Sequence, residues 1–127
     1  MEENYKPTIR SSRVSNNEIV IMLESVSIAE LMRMDELAEQ LKQDLNITNL
    51  VPPIFWFSRI KATTEGRGDG TVLMTELCRI CDEYSITVVD ALNPYGQRGL
   101  ADLIRFNQKF GFVLYGESLM IRFPKVI

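Results

Sequence analysis

The sequence predicts an α/β fold with a central mixed β-sheet flanked by helices, in a single domain that spans residues 1–127. The apolar run 54–62, a glycine-rich segment, a helical pattern and the apolar run 85–92 follow one another, which is typical of a right-handed βαβ unit with parallel strands. Short apolar or alternating runs near both ends of the chain indicate hairpins. The 127 residues, 46% of them hydrophobic, are enough for one core.

The N-terminal part predicts two strands and one helix. Residues 8–13 and 18–23 are short apolar or alternating runs around a Ser-Asn-Asn turn, as expected of two paired strands. Ser27-Ile28-Ala29-Glu30 has the form of a capping box, which predicts an amphipathic helix from Ser27 to about Asp44. Pro52-Pro53 then ends the connection, because proline fits neither mid-helix nor mid-sheet.

The C-terminal part predicts two more strands, two helices and a closing hairpin. Residues 54–62 are apolar on both sides at their start, which indicates a central strand covered on both faces. Residues 71–84 and 100–110 have helical periodicity, the second ending at Gly111, and 85–92 predicts a buried strand. Residues 112–115 and 119–123 predict strands around the turn at 116–118.

Composition excludes several classes of function. The net charge of −3, without a block of like charges, argues against nucleic acid as the partner. No apolar run approaches the ~18 residues of a membrane span, and the N-terminus lacks a basic start with an apolar stretch, so we expect a cytoplasmic protein. The chain has no histidine, which excludes a Ser-His-Asp triad and histidine metal sites, and we expect no metal.

Cys78 and Cys81 form a C-x-x-C whose interpretation depends on its place in the fold. Redox pairs of this form lie at a strand-to-helix junction, whereas this pair lies within a helical pattern. Zinc would need further cysteine or histidine ligands, which the chain lacks. The pattern therefore favours two small apolar residues on the packed face of a helix.

The segment 65–71, E-G-R-G-D-G-T, joins a predicted strand to a predicted helix. Backbone N–H groups in a glycine-rich turn, followed by a helix N-terminus, form an anion site by geometry and dipole. The spacing fits neither a Walker loop nor a dinucleotide fingerprint. A tight turn without a ligand is the other interpretation of the segment.

Residues 60–74 resemble the acyl-CoA-binding segment of GNAT-type N-acetyltransferases, within a wider resemblance that covers roughly residues 54–123. In that family a strand leads into (Gln/Arg)-x-x-Gly-x-(Gly/Ala) and a helix that opens with paired apolar residues. Gly68 and Gly70 match the glycines, and Leu73-Met74 matches the apolar pair. The run 107–112 is similar to the family's Tyr-x-(Lys/Arg)-x-Gly-Phe, and the spacing from Val89 to Asn93 is similar to the segment after its splayed strand.

The resemblance implies a GNAT-like fold that moves an acetyl or other acyl group from acetyl-CoA, as co-substrate, to a primary amine. The acceptor would be a small molecule or a peptide, and a homodimer is compatible with the sequence. The backbone of the glycine segment would hold the pyrophosphate, the strand edge would pair with the pantetheine, and a backbone N–H there would stabilise the oxyanion. The residues implied in binding are Ile60, Ala62, Gly66, Arg67, Gly68, Asp69, Gly70, Thr71, Asn93 and Asn107.

The reaction needs a base for the amine and a proton for the leaving thiolate. Glu24, at the end of the second strand, is the candidate base, directly or through water. Tyr115 is the candidate proton donor, with Tyr95 or water as alternatives. Each tyrosine also has a purely structural interpretation, an aromatic ring packed at a strand or loop edge.

Two departures from the family pattern keep other functions open. Glu65 stands where the family has Gln or Arg, and Asn107 stands where it often has the tyrosine that protonates the thiolate. Both favour a catalytically inactive GNAT-like module that binds a ligand or another protein. An unrelated α/β binding protein is a third interpretation.

Overall fold

A computed structural model describes residues 6–63, 67–92 and 99–125. Within these ranges the chain forms one mixed sheet of seven strands, with three helices, in a single small domain of mixed α and β structure. None of these helices is both long enough and apolar enough to cross a bilayer. The elements are β1 (Ile9–Val14), β2 (Glu18–Leu23), β3 (Ile28–Arg33), α1 (Leu37–Leu45), β4 (Ile54–Lys61), α2 (Asp69–Tyr84), β5 (Thr87–Ala91), α3 (Leu100–Gln108), β6 (Val113–Tyr115) and β7 (Leu119–Arg122).

The strand order in the sheet is β1-β2-β3-β4-β5-β7-β6. Neighbouring strands are antiparallel, except that β4 and β5 pair in parallel through the α2 crossover. The predicted βαβ unit and the predicted closing hairpin are therefore confirmed. The β4–β5 junction is the parallel step among the described strands of this sheet.

The two faces of the sheet carry separate hydrophobic cores. Phe55 and Phe57 of β4 contact the larger core, to which α2 contributes Leu77 and α3 contributes Phe106. Ile54 and Trp56 alternate with them and belong to the smaller core, which includes Ala38 and Leu41 of α1. The prediction that β4 is a central strand covered on both faces is confirmed.

The prediction of a helix from Ser27 is wrong over residues 28–33. This segment is strand β3, which pairs antiparallel with both β2 and β4. Its sequence, I-A-E-L-M-R, places apolar residues at spacings that fit either period, and β pairing on both sides decides for the strand. The helix that follows runs only over Leu37–Leu45 and ends at Asn46, which adopts the left-handed conformation with φ 55°.

Candidate functional site

The β4 and β5 strands separate toward their carboxyl ends. Their parallel ladder consists of three pairs and ends at Trp56 and Val89. Beyond it, β4 continues to Lys61 and pairs only with β3 among the described residues. Along the edge of β4 that faces β5, the backbone groups of 57–61 have no strand partner among the described residues, and such an edge can take an extended ligand as an added strand.

The N-terminus of α2 lies directly after this open edge in the chain. Gly68 is the N-cap, with φ 91° and ψ 1°, a left-handed conformation that favours glycine. The Val72 N–H donates to the Gly68 carbonyl at 3.1 Å, so the N–H groups of Gly70 and Thr71 precede the first bond of the helix. These amides and the helix dipole attract an anion.

Asp69 attaches the first turn of α2 to the β2–β3 turn. Its side chain is buried, and its Oδ2 accepts hydrogen bonds from the hydroxyls of Ser25 at 2.7 Å and Ser27 at 2.5 Å. The Ser27 hydroxyl also accepts the Thr63 N–H at 2.8 Å. The β2–β3 turn, the end of β4 and the start of α2 are thus tied together, and the Asp69 carboxylate is directed into the protein.

The function of Ser27 in the fold differs from the predicted helix cap. Its hydroxyl, fully buried, serves the α2 terminus 42 residues further along the chain. The capping-box pattern did not predict the contact between Ser27 and Asp69, because that contact forms only when β3 pairs with β4. Hydrogen bonds to a charged group contribute about 1.5–3 kcal/mol each, so this network stabilises the position of the first turn of α2.

A second polar contact lies on the other side of the separation. Asp90 follows Val89, the last residue of the β4–β5 ladder, and the Asn107 side-chain amide of α3 donates to its Oδ2 at 2.9 Å. Asn107 is only 4% exposed. Burial raises the pKa of the Asp90 carboxyl, although the hydrogen bond from Asn107 acts in the opposite direction.

Most of the predicted binding residues lie at one end of the sheet. Ile60 lies at the end of β4 and Ala62 just after it, Arg67 and Gly68 precede α2, and Asp69, Gly70 and Thr71 begin it; the Ser27 network joins the two elements. A Cβ at Gly70 would lie 3.5 Å from the Phe106 ring, which places α3 beside this turn. Of the remaining predictions, Gly66 and Asn93 lie outside the described residues, as do Glu65 and Tyr95.

The two predicted catalytic residues lie apart from each other, Glu24 in the β2–β3 turn beside the start of α2 and Tyr115 on the opposite face of the sheet from Asp90. Glu24 is exposed in the β2–β3 turn, where its N–H donates to the Thr8 carbonyl. Tyr115 ends β6, two strands from β5, and packs with the smaller core on the α1 face. Asp90, by contrast, shares the α2 and α3 face with Val88, since residues two apart on a strand point to the same side.

Asp90 was missed by the sequence reasoning, although a signal for it exists. The run V-V-D-A ends an apolar strand with a carboxylate at the carboxyl edge of a parallel pair. Such positions favour ligand contact. Its partner Asn107 was singled out only through the family resemblance.

The C-x-x-C pair lies inside α2, as the helical pattern predicted. Both cysteines are free, Cys81 is buried, and burial raises the pKa of its thiol to about 12. Reactive cysteines have lowered pKa values, so this thiol belongs to the core. The described residues also contain no cluster of three or more Cys, Asp or Glu side chains placed to hold a metal.

Comparisons with known proteins give no relative. No family model, curated protein or solved structure matches the chain. The assignment of function therefore depends on the sequence motifs and on the geometry described above.

Proposed function

We propose that this protein is an acyltransferase with a GNAT-like fold, which moves an acetyl or other acyl group from acyl-CoA to a primary amine. The observation that carries the proposal is the early end of the β4–β5 ladder together with the glycine-capped start of α2, which the Ser27 hydroxyl links to the end of β4. One end of the sheet thereby offers a strand edge for an extended amide chain and free N–H groups for an anion. Pantetheine and pyrophosphate are such a chain and such an anion.

The residues at this end fit acetyl-CoA as a co-substrate. The Gly70 and Thr71 amides would bind the pyrophosphate, with Gly68 supplying the left-handed turn that aims them. The Asp69 carboxylate is buried and accepts hydrogen bonds from the hydroxyls of Ser25 and Ser27. The β4 edge near Ile60 would pair with the pantetheine amides, and one backbone N–H there would stabilise the developing oxyanion.

The first experiment measures thermal stability with and without acetyl-CoA. A ligand at a hundredfold excess over its dissociation constant adds roughly 2.7 kcal/mol to the free energy of unfolding. We expect such an increase at millimolar acetyl-CoA. The absence of any increase at that concentration would sink the proposal.

A matched pair of variants locates the site. Thr71 and Thr75 are both exposed on α2, one turn apart. Thr71→Glu places a negative charge within about 10 Å of the bound anion and should weaken binding tenfold or more, since such a charge pair costs about 1.5 kcal/mol or more at an effective dielectric of 20. The variant should fold, because Glu in the first turn suits the helix dipole.

Thr75→Glu is the control and should bind acetyl-CoA more tightly than Thr71→Glu does. Release of free thiol with a panel of amines then separates the enzyme from its competitor. Binding without thiol release would instead support the non-enzymatic module, for which the Asn107 amide in place of a tyrosine is the motivating observation.

A further inference from the structure

The Asp90 carboxyl lies next to the position where β4 and β5 stop pairing. It follows Val89, the last residue paired to β4, and its own backbone partner is Met120 of β7. Its side chain lies on the face that carries α2 and α3, as its hydrogen bond to Asn107 requires. A chain that extended the sheet between β4 and β5 beyond this ladder would therefore begin next to Asp90.

Among the described residues, the hydrogen bonds of Asp90 use only one of its two carboxylate oxygens. The Asn107 amide occupies Oδ2 at 2.9 Å, and Oδ1 accepts no hydrogen bond from the described residues. The side chain is partly exposed, whereas the Asn107 amide that orients it is buried. A half-buried carboxyl with one fixed and one open oxygen is arranged for proton exchange with a bound molecule.

We propose that Asp90 carries the proton from the attacking amine to the departing sulfur, an inference that depends on the acyltransferase function proposed above. The amine nitrogen forms a bond to the thioester carbonyl carbon, and the resulting N–H⁺ gives its proton to Oδ1. The carbon–sulfur bond then breaks with its electron pair on sulfur, and the Asp90 carboxyl returns the proton to that thiolate. The products are an N-acyl amine and free CoA thiol, and Asp90 ends as the carboxylate it began as.

The Asp90–Asn107 contact gives the proposed reaction a proton donor without a tyrosine at position 107. The family that the chain resembles often has a tyrosine at the position of Asn107, and an amide nitrogen cannot release a proton at neutral pH. Here the buried Asn107 amide is instead hydrogen-bonded to the Asp90 carboxyl, which can release a proton. Burial raises the pKa of this carboxyl, which brings it nearer to the range in which it can both take and give a proton.

The test is Asp90→Asn, which keeps the shape and the acceptor oxygen for Asn107 but has no exchangeable acid proton. We expect kcat for acetyl transfer to fall at least ~100-fold, the lower end for loss of a general acid–base group. The acetyl-CoA-dependent increase in melting temperature should remain. Asp102→Asn on the same helix as Asn107 is the matched control, because that carboxylate is 52% exposed and pairs with Arg105, and it should leave kcat unchanged.

A stability measurement separates this function from a structural one. The folded-state pKa of Asp90 is raised above its unfolded value, so its charged form opposes folding once the pH exceeds the unfolded pKa. Asp90→Asn should therefore melt at the same or a higher temperature than the wild type at pH 7, and the gain should vanish below about pH 4. A purely structural carboxylate would give a loss of stability instead.

Each outcome bears on one proposal or on both. Full acetyl transfer by Asp90→Asn would overturn the inference and leave the acyltransferase function intact. Asp90→Glu, which keeps a carboxyl, should retain more activity than Asp90→Asn, and equal loss in both variants would also overturn it. A wild-type chain that neither binds nor cleaves acetyl-CoA overturns both proposals.

Discussion

Arg122 and Asp82 form the most buried ion pair among the described residues. The Arg122 side chain is 3% exposed, and its two terminal nitrogens donate to the two Asp82 oxygens at 2.9 and 3.1 Å. Its Nε donates to the Phe110 carbonyl at 2.7 Å. The pair therefore joins β7 to α2 and to the turn after α3, and it fixes the elements on which Asn107 is carried.

Asp82→Asn should destabilise the protein by about 3 kcal/mol, because it leaves the buried Arg122 charge without its counter-ion. Urea unfolding measures the change. Glu83→Gln is the control, since Glu83 is 55% exposed and its pair with Arg79 should contribute about 0.5 kcal/mol or less. Equal effects of the two changes would contradict the importance assigned to the buried pair.

The loss of stability caused by Asp82→Asn should depend on pH. The hydrogen bond from Arg122 lowers the pKa of Asp82 below its usual value. A group with a lowered folded-state pKa contributes stability above its unfolded pKa, about 4, and loses that contribution as the pH falls through the folded value. The difference in unfolding free energy between wild type and Asp82→Asn should hold from pH 8 to pH 5 and shrink below about pH 4.

At the level of elements, the start of α2 contains two glycines with different requirements. Gly68 has φ 91°, which strains any L-residue, and a Cβ there would also lie 3.6 Å from Pro7. Gly70 has no such φ, and its added Cβ would make an ordinary contact with Phe106 at 3.5 Å. Only the first glycine is required by the backbone.

Gly68→Ala should therefore lower the free energy of unfolding by about 1–2 kcal/mol, the cost of a left-handed L-residue. Gly70→Ala should raise it by about 0.5–1 kcal/mol, because alanine favours helix. Thermal or urea unfolding of both variants compares them directly. If Gly68→Ala were as stable as Gly70→Ala, the left-handed turn would not be needed to begin α2.

The local sequence pattern was sufficient to predict some helices and strands and insufficient to predict others. The α2 helix and the strands around it were predictable because each has one dominant period and an apolar face. Strand β3 was not, since I-A-E-L-M-R fits two periods and its identity depends on pairing with β2 and β4. Tertiary contacts, which the local sequence does not encode, decided between helix and strand.

The candidate site was predictable to the same limited degree. The glycine segment could be placed between a strand and a helix because glycine and helix signals are local. The Ser27–Asp69 and Asp90–Asn107 contacts join residues 42 and 17 positions apart. Such contacts depend on the register of the sheet, and a sequence pattern gives the residue types without the pairing.

At the level of the whole molecule, the single sheet separates two cores of unequal size. The larger includes residues of β2, β3, β4, α2 and α3, and it encloses Cys81. Cys78 lies partly buried one turn away, and its thiol contacts the Phe110 carbonyl at 3.7 Å. Burial raises the pKa of both thiols, so the two cysteines report on the integrity of this core.

We therefore expect Cys81 to react with a thiol reagent only when the whole molecule unfolds. At a stability of about 5 kcal/mol the unfolded fraction is on the order of 10⁻³ to 10⁻⁴, and labelling of Cys81 should slow by that factor relative to the denatured chain. The Cys78→Ser variant, which leaves Cys81 alone, isolates the measurement, and Cys81→Ala is its counterpart for the partly buried thiol. Rapid labelling of Cys81 in the folded protein, or a melting temperature that falls when reductant is added, would contradict the core assignment and favour the redox interpretation of the C-x-x-C pair.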